Sequence, residues 1–272
     1  MIKKLESKYS LLDDKVFKLF MEDKEVAKEV IEILINKEIE HLEYIDTEKE
    51  ILGLGLERTI RYDVLCKDNK DKYYDVELQI VLQKDLLERF RVYQSVLDKY
   101  TLRKGEKEYG KLRETYIIFI CDFDFFGDGL EEYNIVNYCM ENKKICNDKS
   151  NKKIINLKAK NIENKSIEEL INLFKNKKYN ENNEKIIKLV ERFKIVTNSE
   201  VFVRRYDVMM TKERLLIEQG VQQGIKQGVQ QGIKYEIKAL KKFGIKEEDI
   251  IKTIKEDYNL TDEEVKEYLK ER

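Results

Sequence analysis

Residues 61–80 read RYDVLCKDNKDKYYDVELQI, and the fold is best inferred from this stretch. Both halves alternate with a period of two, and the apolar positions are Tyr62, Val64 and Cys66 in the first half and Tyr74, Val76, Leu78 and Ile80 in the second. Such alternation predicts strands. The polar residues at 68–71 between the halves are strong turn formers. The stretch therefore predicts a β-hairpin.

The register of this hairpin follows from its apolar positions. If both strands place their apolar residues on one face, opposed residues must have numbers with an even sum. Tyr62 opposite Leu78 meets this condition, and it places Asp63 opposite Glu77. The two carboxylates then share the polar face, with β carbons about 4.5–5.5 Å apart, and Gln79 follows on that face.

Like charges opposed in a sheet are unfavourable, and a bound divalent cation would convert this repulsion into coordination. Such a cation could lower the pKa of a bound water and stabilise the charge that develops on a phosphodiester. The alternative is that Asp63 and Glu77 are solvated residues on an exposed sheet face, flanked by Arg61 and Lys72.

The composition limits the chemistry to carboxylates. Of 272 residues, 53 are basic and 54 acidic, so the formal net charge of −1 places any nucleic-acid contact in a local basic patch. His41 is the single histidine, which excludes sites with several histidines. The four cysteines form no Cys-x-x-Cys pair, and we expect buried thiols in a reduced, cytoplasmic protein. No stretch reaches the roughly 18 apolar residues of a membrane helix, so we expect no membrane partner.

The other segments predict an α/β fold. Helical spacing over 11–37, with Asp14 as an N-cap, precedes the hairpin, and a basic helix over 84–104 follows it. Residues 115–121 form an unbroken apolar run that is typical of a buried strand, and further strands are expected at 133–140 and 154–157. We predict four segments: a core over 1–165, a helical extension over 166–218, an arm over 219–234 and a small helical tail over 235–272.

The arm repeats a glycine every four residues, at Gly220, Gly224, Gly228 and Gly232. This spacing keeps the glycines on one helix face, where each costs about 1 kcal/mol relative to alanine. A stripe of this kind lets another helix approach closely, which predicts a homo-oligomer formed through residues 199–272. The alternative is a low-complexity spacer.

Two segments in the middle of the chain are basic. Residues 83–113 contain nine basic and five acidic side chains, and residues 141–165 contain eight lysines and three acids. Contact of these patches with DNA phosphates would be salt-dependent and largely independent of sequence. Arg89 and Tyr93 are four residues apart and share a helix face. The alternative is a solvated helix face with internal ion pairs.

In order along the chain, several segments resemble the Rpn-type recombination-promoting nucleases, or putative transposases, of the PD-(D/E)xK nuclease superfamily. Residues 14–20 (DKVFKLF) resemble that family's Asp-x-x-Phe-Lys helix, and residues 61–64 and 74–79 resemble its Asp strand and Glu-x-Gln strand. Arg89, Tyr93, Gly105, Tyr109 and the strand over 117–123 are similar to its basic helix, its Gly-x-x-Tyr turn and its apolar strand, although the Gly-to-Tyr spacing is one residue longer here.

The resemblance implies an α/β, restriction-endonuclease-like αβββαβ core with a mixed sheet and a helical C-terminal region. It implies that Asp63 and Glu77 bind Mg²⁺ or Mn²⁺ and that Gln79 lies where the wider superfamily has lysine. Gln can hydrogen-bond a water but supplies no charge. The further residues implied are Arg89, Tyr93, Arg91 and Lys84 for DNA binding and Asp14 as an accessory acid.

The function implied is that of a metal-dependent DNA endonuclease that hydrolyses phosphodiester bonds and is associated with recombination or mobile elements. Asp63, Glu77 and Gln79 would be its catalytic residues. The alternative is a catalytically weak or inactive protein that keeps the nuclease fold and binds DNA or assembles with itself. Gln79 and the glycine-rich arm are the features that favour this alternative.

Overall fold

A computed structural model describes residues 1–52, 59–102 and 108–270 of the chain. These residues form two compact units, Met1–Tyr206 and Asp207–Arg272. Residues such as Gly105 and Arg103, which belong to the predicted glycine turn and basic patch, lie outside the described residues.

The first unit alternates helices and strands, and a long helix leads into the second unit. The elements, in chain order, are β1 (Ile2–Lys4), α1 (Asp14–Met21), α2 (Lys24–Ile35), β2 (Leu42–Leu52), β3 (Thr59–Asp68), β4 (Tyr73–Gln79), α3 (Leu86–Thr101), a short 3-10 helix (Tyr109–Lys111), β5 (Thr115–Cys121), β6 (Glu132–Ile135), β7 (Asn137–Cys139), β8 (Lys144–Cys146), β9 (Ser150–Asn156), α4 (Lys165–Asn176), β10 (Lys178–Asn180), α5 (Glu184–Thr197), α6 (Glu200–Lys242), α7 (Glu247–Tyr258) and α8 (Asp262–Lys270).

The main sheet of the first unit is mixed and has the strand order β2-β3-β4-β5-β9-β6. The strands β2, β3 and β4 are antiparallel neighbours, whereas β4, β5 and β9 run parallel. All seven residues of β5 are buried, which explains why its sequence is an apolar run without alternation. The αβββαβ order and the mixed sheet confirm the predicted fold class.

The hairpin of β3 and β4 has the predicted register. Its ladder pairs Val64 with Val76 and Cys66 with Tyr74, so paired residue numbers have the same even sum as Tyr62 and Leu78. The connecting turn is closed by Asp68, whose Oδ1 accepts hydrogen bonds from the backbone N–H groups of Lys70 and Lys72 at 2.9 Å each. Local alternation and turn chemistry were therefore sufficient to fix this element.

Helices cover both faces of the sheet. On one face α3 packs against β5, and the rings of Phe90 and Phe119 meet edge to face with centroids 4.5 Å apart. On the other face α1 and α2 contact β2, and α4 and α5 pack outside them, with Phe20 against Phe193 at 5.3 Å. Burial of each such side chain is worth about 1.5–3 kcal/mol. This arrangement sandwiches β4 between two helical layers.

Four details of the first unit differ from the sequence-based expectations. The strand β2 was not predicted, and the expected strand over 133–140 is split into β6 and β7. The N-cap of α1 is Asp13, not Asp14, because the Asp13 side chain accepts hydrogen bonds from the backbone N–H groups of Lys15 and Val16. Cys66 and Cys121 are buried as expected, but Cys139 is half-buried and Cys146 is exposed on the short hairpin of β7 and β8.

The second unit packs the end of α6 against α7 and α8. Its core is formed by apolar side chains from all three helices, namely Ile233, Ile237, Ile250, Ile254 and Val265. A β carbon placed on Gly232 would lie 3.2 Å from the Tyr258 hydroxyl, whereas Gly220, Gly224 and Gly228 have no described atom within 4 Å of that position. The last glycine of the stripe therefore admits the chain's own α7. Among the described residues, no helix has both the length and the apolar composition needed to cross a membrane.

Candidate active site

Asp63 and Glu77 meet where the hairpin ladder ends. The last ladder pair before them is Val64 with Val76. At the next position the backbone N–H of Asp63 donates to Oε1 of Glu77 at 2.8 Å. Glu77 is 2% exposed, and the Asp63 side chain is 14% exposed. The two acidic residues that the sequence placed opposite each other are thus in contact through the Asp63 backbone and the Glu77 side chain, and both side chains are largely shielded from solvent.

The face that carries them is not a polar surface. We expected Tyr62 on the apolar face with Val64, but the Tyr62 hydroxyl donates to the backbone carbonyl of Tyr93 in α3 at 2.8 Å. On the neighbouring strand, Glu48 adopts a left-handed backbone (φ 62°) between the pairs Thr47–Val64 and Lys49–Tyr62. Tyr93 and Arg89 of α3 cover Glu77, and Lys18 of α1 pairs with Asp63, so the interpretation of these two acids as solvated residues is wrong.

The helix α3 supplies the side chains that contact Glu77 from above the sheet. Oε2 of Glu77 accepts a hydrogen bond from the Tyr93 hydroxyl at 3.3 Å and lies 3.5 Å from Nη2 of Arg89. Nη1 of Arg89 donates to Oε1 of Gln79 at 2.8 Å and to Oε1 of Gln83 at 2.5 Å. The guanidinium therefore bridges Glu77 and Gln79, the two polar side chains at the end of β4.

A third acid, Asp75, lies two residues before Glu77 on the same strand. It is fully buried, and neither of its carboxyl oxygens has a hydrogen-bond partner of ordinary geometry among the described residues. We call Asp63, Asp75 and Glu77 the carboxylate cluster. Burial first, and then repulsion from Glu77 and Asp63, raise the pKa of Asp75 well above its ordinary value.

The same causes act on the other two members of the cluster. Burial and the charge of Asp63 raise the pKa of Glu77 to about 8, although Arg89 opposes the shift. Burial also raises the pKa of Asp63, against the lowering effect of Lys18. If all three groups were ionised, they would hold more negative charge than their surroundings compensate. The metal-free chain therefore keeps protons on Asp75 and Glu77, and a bound cation would replace those protons, which is the electrostatic character of a cation site.

Lys18 reaches the cluster from α1. Its side chain is 4% exposed, and its Nζ lies 3.0 Å from Oδ1 of Asp63 and 2.8 Å from Oδ2 of Asp14. Burial lowers the pKa of Lys18, but the carboxylates of Asp63 and Asp14 outweigh this effect, so the net pKa is raised. Asp14, predicted as an accessory acid, thus approaches the site through Lys18.

The four residues predicted to bind DNA fall into two pairs, one at the surface and one inside the site. Lys84 and Arg91 are exposed, whereas Tyr93 is buried and 20% of the Arg89 side chain is exposed. Arg89 and Tyr93 therefore belong to the interior of the site. Lys84 and Arg91 are available at the surface.

Two of the site residues that were not predicted, Asp75 and Lys18, are nevertheless marked by a pattern in the sequence. Asp75 occupies the same alternating positions as Glu77 and Gln79. Lys18 follows Asp14 by four residues and lies among the apolar positions of an amphipathic helix, where a lysine is uncommon without a partner. No comparable signal marks Glu48, whose Oε1 lies 3.7 Å from Nζ of Lys18.

The cluster fits a divalent cation held by few protein ligands. In the described parts of the chain, no group of three or more His, Cys, Asp and Glu side chains is arranged to hold a metal ion. The buried carboxyl oxygens of Asp75, Asp63 and Glu77 nevertheless form a site made of oxygen donors, at which a cation would take the place of the retained protons. Mg²⁺ commonly binds through one or two carboxylates, with water and substrate phosphate as its other ligands.

Comparison with known proteins identifies the family. The model of the PD-(D/E)XK nuclease family transposases matches residues 11–215, which include every element of the site described above. No curated protein and no solved structure matches the chain. Because the matched residues cover most of the chain, the protein belongs to the PD-(D/E)XK nuclease family transposases.

Proposed function

We propose that the chain is a Mg²⁺- or Mn²⁺-dependent endonuclease that hydrolyses DNA phosphodiester bonds, with a role in recombination or in the movement of mobile elements. Membership in a nuclease family supports DNA as the substrate. The observation that carries the proposal is the buried contact between Asp63 and Glu77, where the Asp63 N–H donates to the Glu77 carboxylate at 2.8 Å. Opposed, buried carboxylates are costly in a structural role, and they suit a cation site.

In this proposal each side chain has a defined task. Asp63 and Glu77 hold the metal ion, which when bound lowers the pKa of a water and stabilises negative charge on the phosphate. Gln79 orients the attacking water through its amide nitrogen, because its Oε1 already accepts from Arg89. Arg89 supplies the positive charge beside Gln79 that a lysine supplies elsewhere in the superfamily.

The surface near α3 would hold the DNA backbone. Lys84 and Arg91 are exposed, and Arg89 lies where the interior of the site meets the surface. Contacts of these residues with phosphates would be salt-dependent and would carry little sequence preference. Tyr93 is buried and bonded to Glu77, so we assign it to positioning of the carboxylate rather than to direct contact with DNA.

A second candidate function is DNA binding without hydrolysis. The observation that favours it is Gln79, which brings no charge of its own to the position of the superfamily lysine. This function predicts salt-dependent DNA binding and no cleavage with any divalent metal. It also predicts that Glu77→Ala leaves the DNA affinity unchanged.

The nuclease function is tested with supercoiled plasmid and the full-length chain. We expect nicking with Mg²⁺ or Mn²⁺ and none with EDTA. Asp63→Ala should lower the rate more than the roughly 10- to 100-fold that loss of an outer-shell metal partner costs. Glu88→Gln is the matched control because Glu88 is an exposed carboxylate on α3, and it should cleave like the wild type.

Two outcomes would separate the candidates. Equal cleavage by the wild type and Asp63→Ala would contradict the assigned site, since a contaminating nuclease would then explain the activity. DNA binding without cleavage by the wild type, across several divalent metals, would establish the second candidate.

We further propose that the chain forms a homo-oligomer through residues 199–272 and acts in the cytoplasm. Val221, Ile225 and Val229 form an exposed apolar stripe beside glycines on α6, which supports a second helix at this face. All four cysteines are free, which supports a reducing compartment. The molar mass of the protein in solution tests the homo-oligomer. Fractionation of cells that express the protein tests the cytoplasmic location.

A further inference from the structure

Lys18 is a buried cation surrounded by acids from three elements. The residue is 3% exposed, and its Nζ lies 2.8 Å from Asp14, 3.0 Å from Asp63 and 3.7 Å from Glu48. A buried ammonium is costly unless it is paired and hydrogen-bonded. These contacts therefore hold Lys18 at the edge of the carboxylate cluster.

The three partners of Lys18 are not equivalent. The side chains of Asp14 and Glu48 are 42% and 43% exposed, whereas that of Asp63 is 14% exposed. Asp63 alone belongs to the carboxylate cluster. Asp14 precedes Lys18 by four residues on the same helix, so their contact does not depend on the sheet.

Lys18 and a divalent cation need the same carboxylate. Oδ1 of Asp63 is bonded to the ammonium, and a hard divalent ion held by Asp63 and Glu77 would take its ligands from these carboxylate oxygens. Two cations on one small carboxylate repel each other. The bond between Lys18 and Asp63 must therefore weaken or break when such an ion binds.

We propose that Lys18 is the internal counter-cation of this site. It neutralises Asp63 in the metal-free chain, releases Asp63 when a divalent cation binds, and then stays on Asp14. Lys18 is thus a positioning residue that sets how tightly the site binds metal, and Asp14 acts through it. This inference rests on the proposed function only in taking Asp63 as a metal ligand.

The test is Mn²⁺ binding to the full-length chain, measured by isothermal titration calorimetry without DNA. Lys18→Met removes the competing charge, and we expect it to bind Mn²⁺ at least about tenfold more tightly than the wild type. Lys28→Met is the matched control, because it replaces another helical lysine that pairs with a carboxylate, Glu32 on α2 at 3.8 Å, away from the cluster. It should leave the Mn²⁺ affinity unchanged.

Asp14→Asn tests the second half of the proposal with the opposite sign. Without the Asp14 carboxylate, Lys18 has only Asp63 and Glu48, so we expect Mn²⁺ to bind several-fold more weakly. In the double variant with Lys18→Met, the Asp14 substitution should have no further effect, because both act through one ammonium. An equal effect in both backgrounds would show instead that Asp14 is itself a ligand and would overturn its assigned role.

Lys18→Met with Mn²⁺ affinity equal to or below that of the wild type would overturn the proposal. If circular dichroism shows that Lys18→Met does not fold, the test rests on Asp14→Asn, because the Asp14 side chain is 42% exposed and is not required for the core. An Mn²⁺ affinity of Asp14→Asn equal to that of the wild type would then overturn the proposal. Plasmid cleavage separates this inference from the proposed function. If Lys18→Met binds Mn²⁺ more tightly but the wild type cleaves no plasmid, the role of Lys18 is supported and the nuclease function is contradicted. If the wild type cleaves plasmid but Lys18→Met binds Mn²⁺ no more tightly, the nuclease function is supported and the role of Lys18 is contradicted.

Discussion

The buried carboxylate of Glu77 predicts that the metal-free protein loses stability as the pH rises. The pKa of Glu77 is raised from 4.5 to about 8, mainly by burial and by the charge of Asp63. Below pH 4.5 the group is protonated in the folded and unfolded chain alike. Between 4.5 and about 8 only the unfolded chain releases the proton, so the folded state binds more protons and the free energy of unfolding falls.

The size of this effect follows from the shift. One pKa unit corresponds to about 1.36 kcal/mol, so the stability lost between these two pH values is about 5 kcal/mol at most. This is a large part of the 5–15 kcal/mol that stabilises an ordinary domain. Glu77→Gln cannot ionise, and its amide oxygen can still accept from the Asp63 N–H. We expect this variant to lose much less stability over the same range.

The assay measures the free energy of unfolding by urea denaturation in EDTA at pH 5 to 9. Unfolding is monitored by the hydrogen exchange of peptides from β4, so that the signal reports on the first unit alone. Glu88→Gln, an exposed carboxylate on α3, is the control and should follow the wild type. Saturating Mn²⁺ should flatten the pH dependence of the wild type, because a bound cation favours the ionised carboxylates. If the free energies of unfolding of the wild type and Glu77→Gln depend on pH in the same way, the raised pKa of folded Glu77 would be refuted.

Arg89→Met removes the guanidinium that lowers the pKa of Glu77, so the pH at which the wild-type profile levels off should move above about 8 in the same denaturation series. An unmoved profile would show that Arg89 does not act on Glu77. Val221→Glu and Val229→Glu introduce charges into the exposed apolar stripe of α6. Each substitution should weaken self-association and so lower the molar mass of the assembly that light scattering measures in solution. An unchanged mass would remove the role of this stripe in assembly.

The local elements around the site were predictable because their signals are local. Alternation predicts β4, and the polar cluster predicts the turn after Asp68. The need to keep apolar residues on one face predicts the even-sum register that the ladder shows. The unbroken apolar run of β5 matches the strand residue for residue. The strand β2 was missed because its residues, LEYIDTEKEIL, include too many charged side chains for an apolar pattern to stand out.

The sequence alone predicts carboxylate chemistry, since a single histidine excludes sites with several histidines and the cysteines form no Cys-x-x-Cys pair, and its alternation singled out Asp63 and Glu77. Only the tertiary structure decided the environment of those carboxylates. The side chains of α3 bury Glu77, and Lys18 of α1 pairs with Asp63, which lies 45 positions further along the chain. Burial and pairing depend on contacts between distant segments, and they set pKa values and charge compensation that no local pattern encodes.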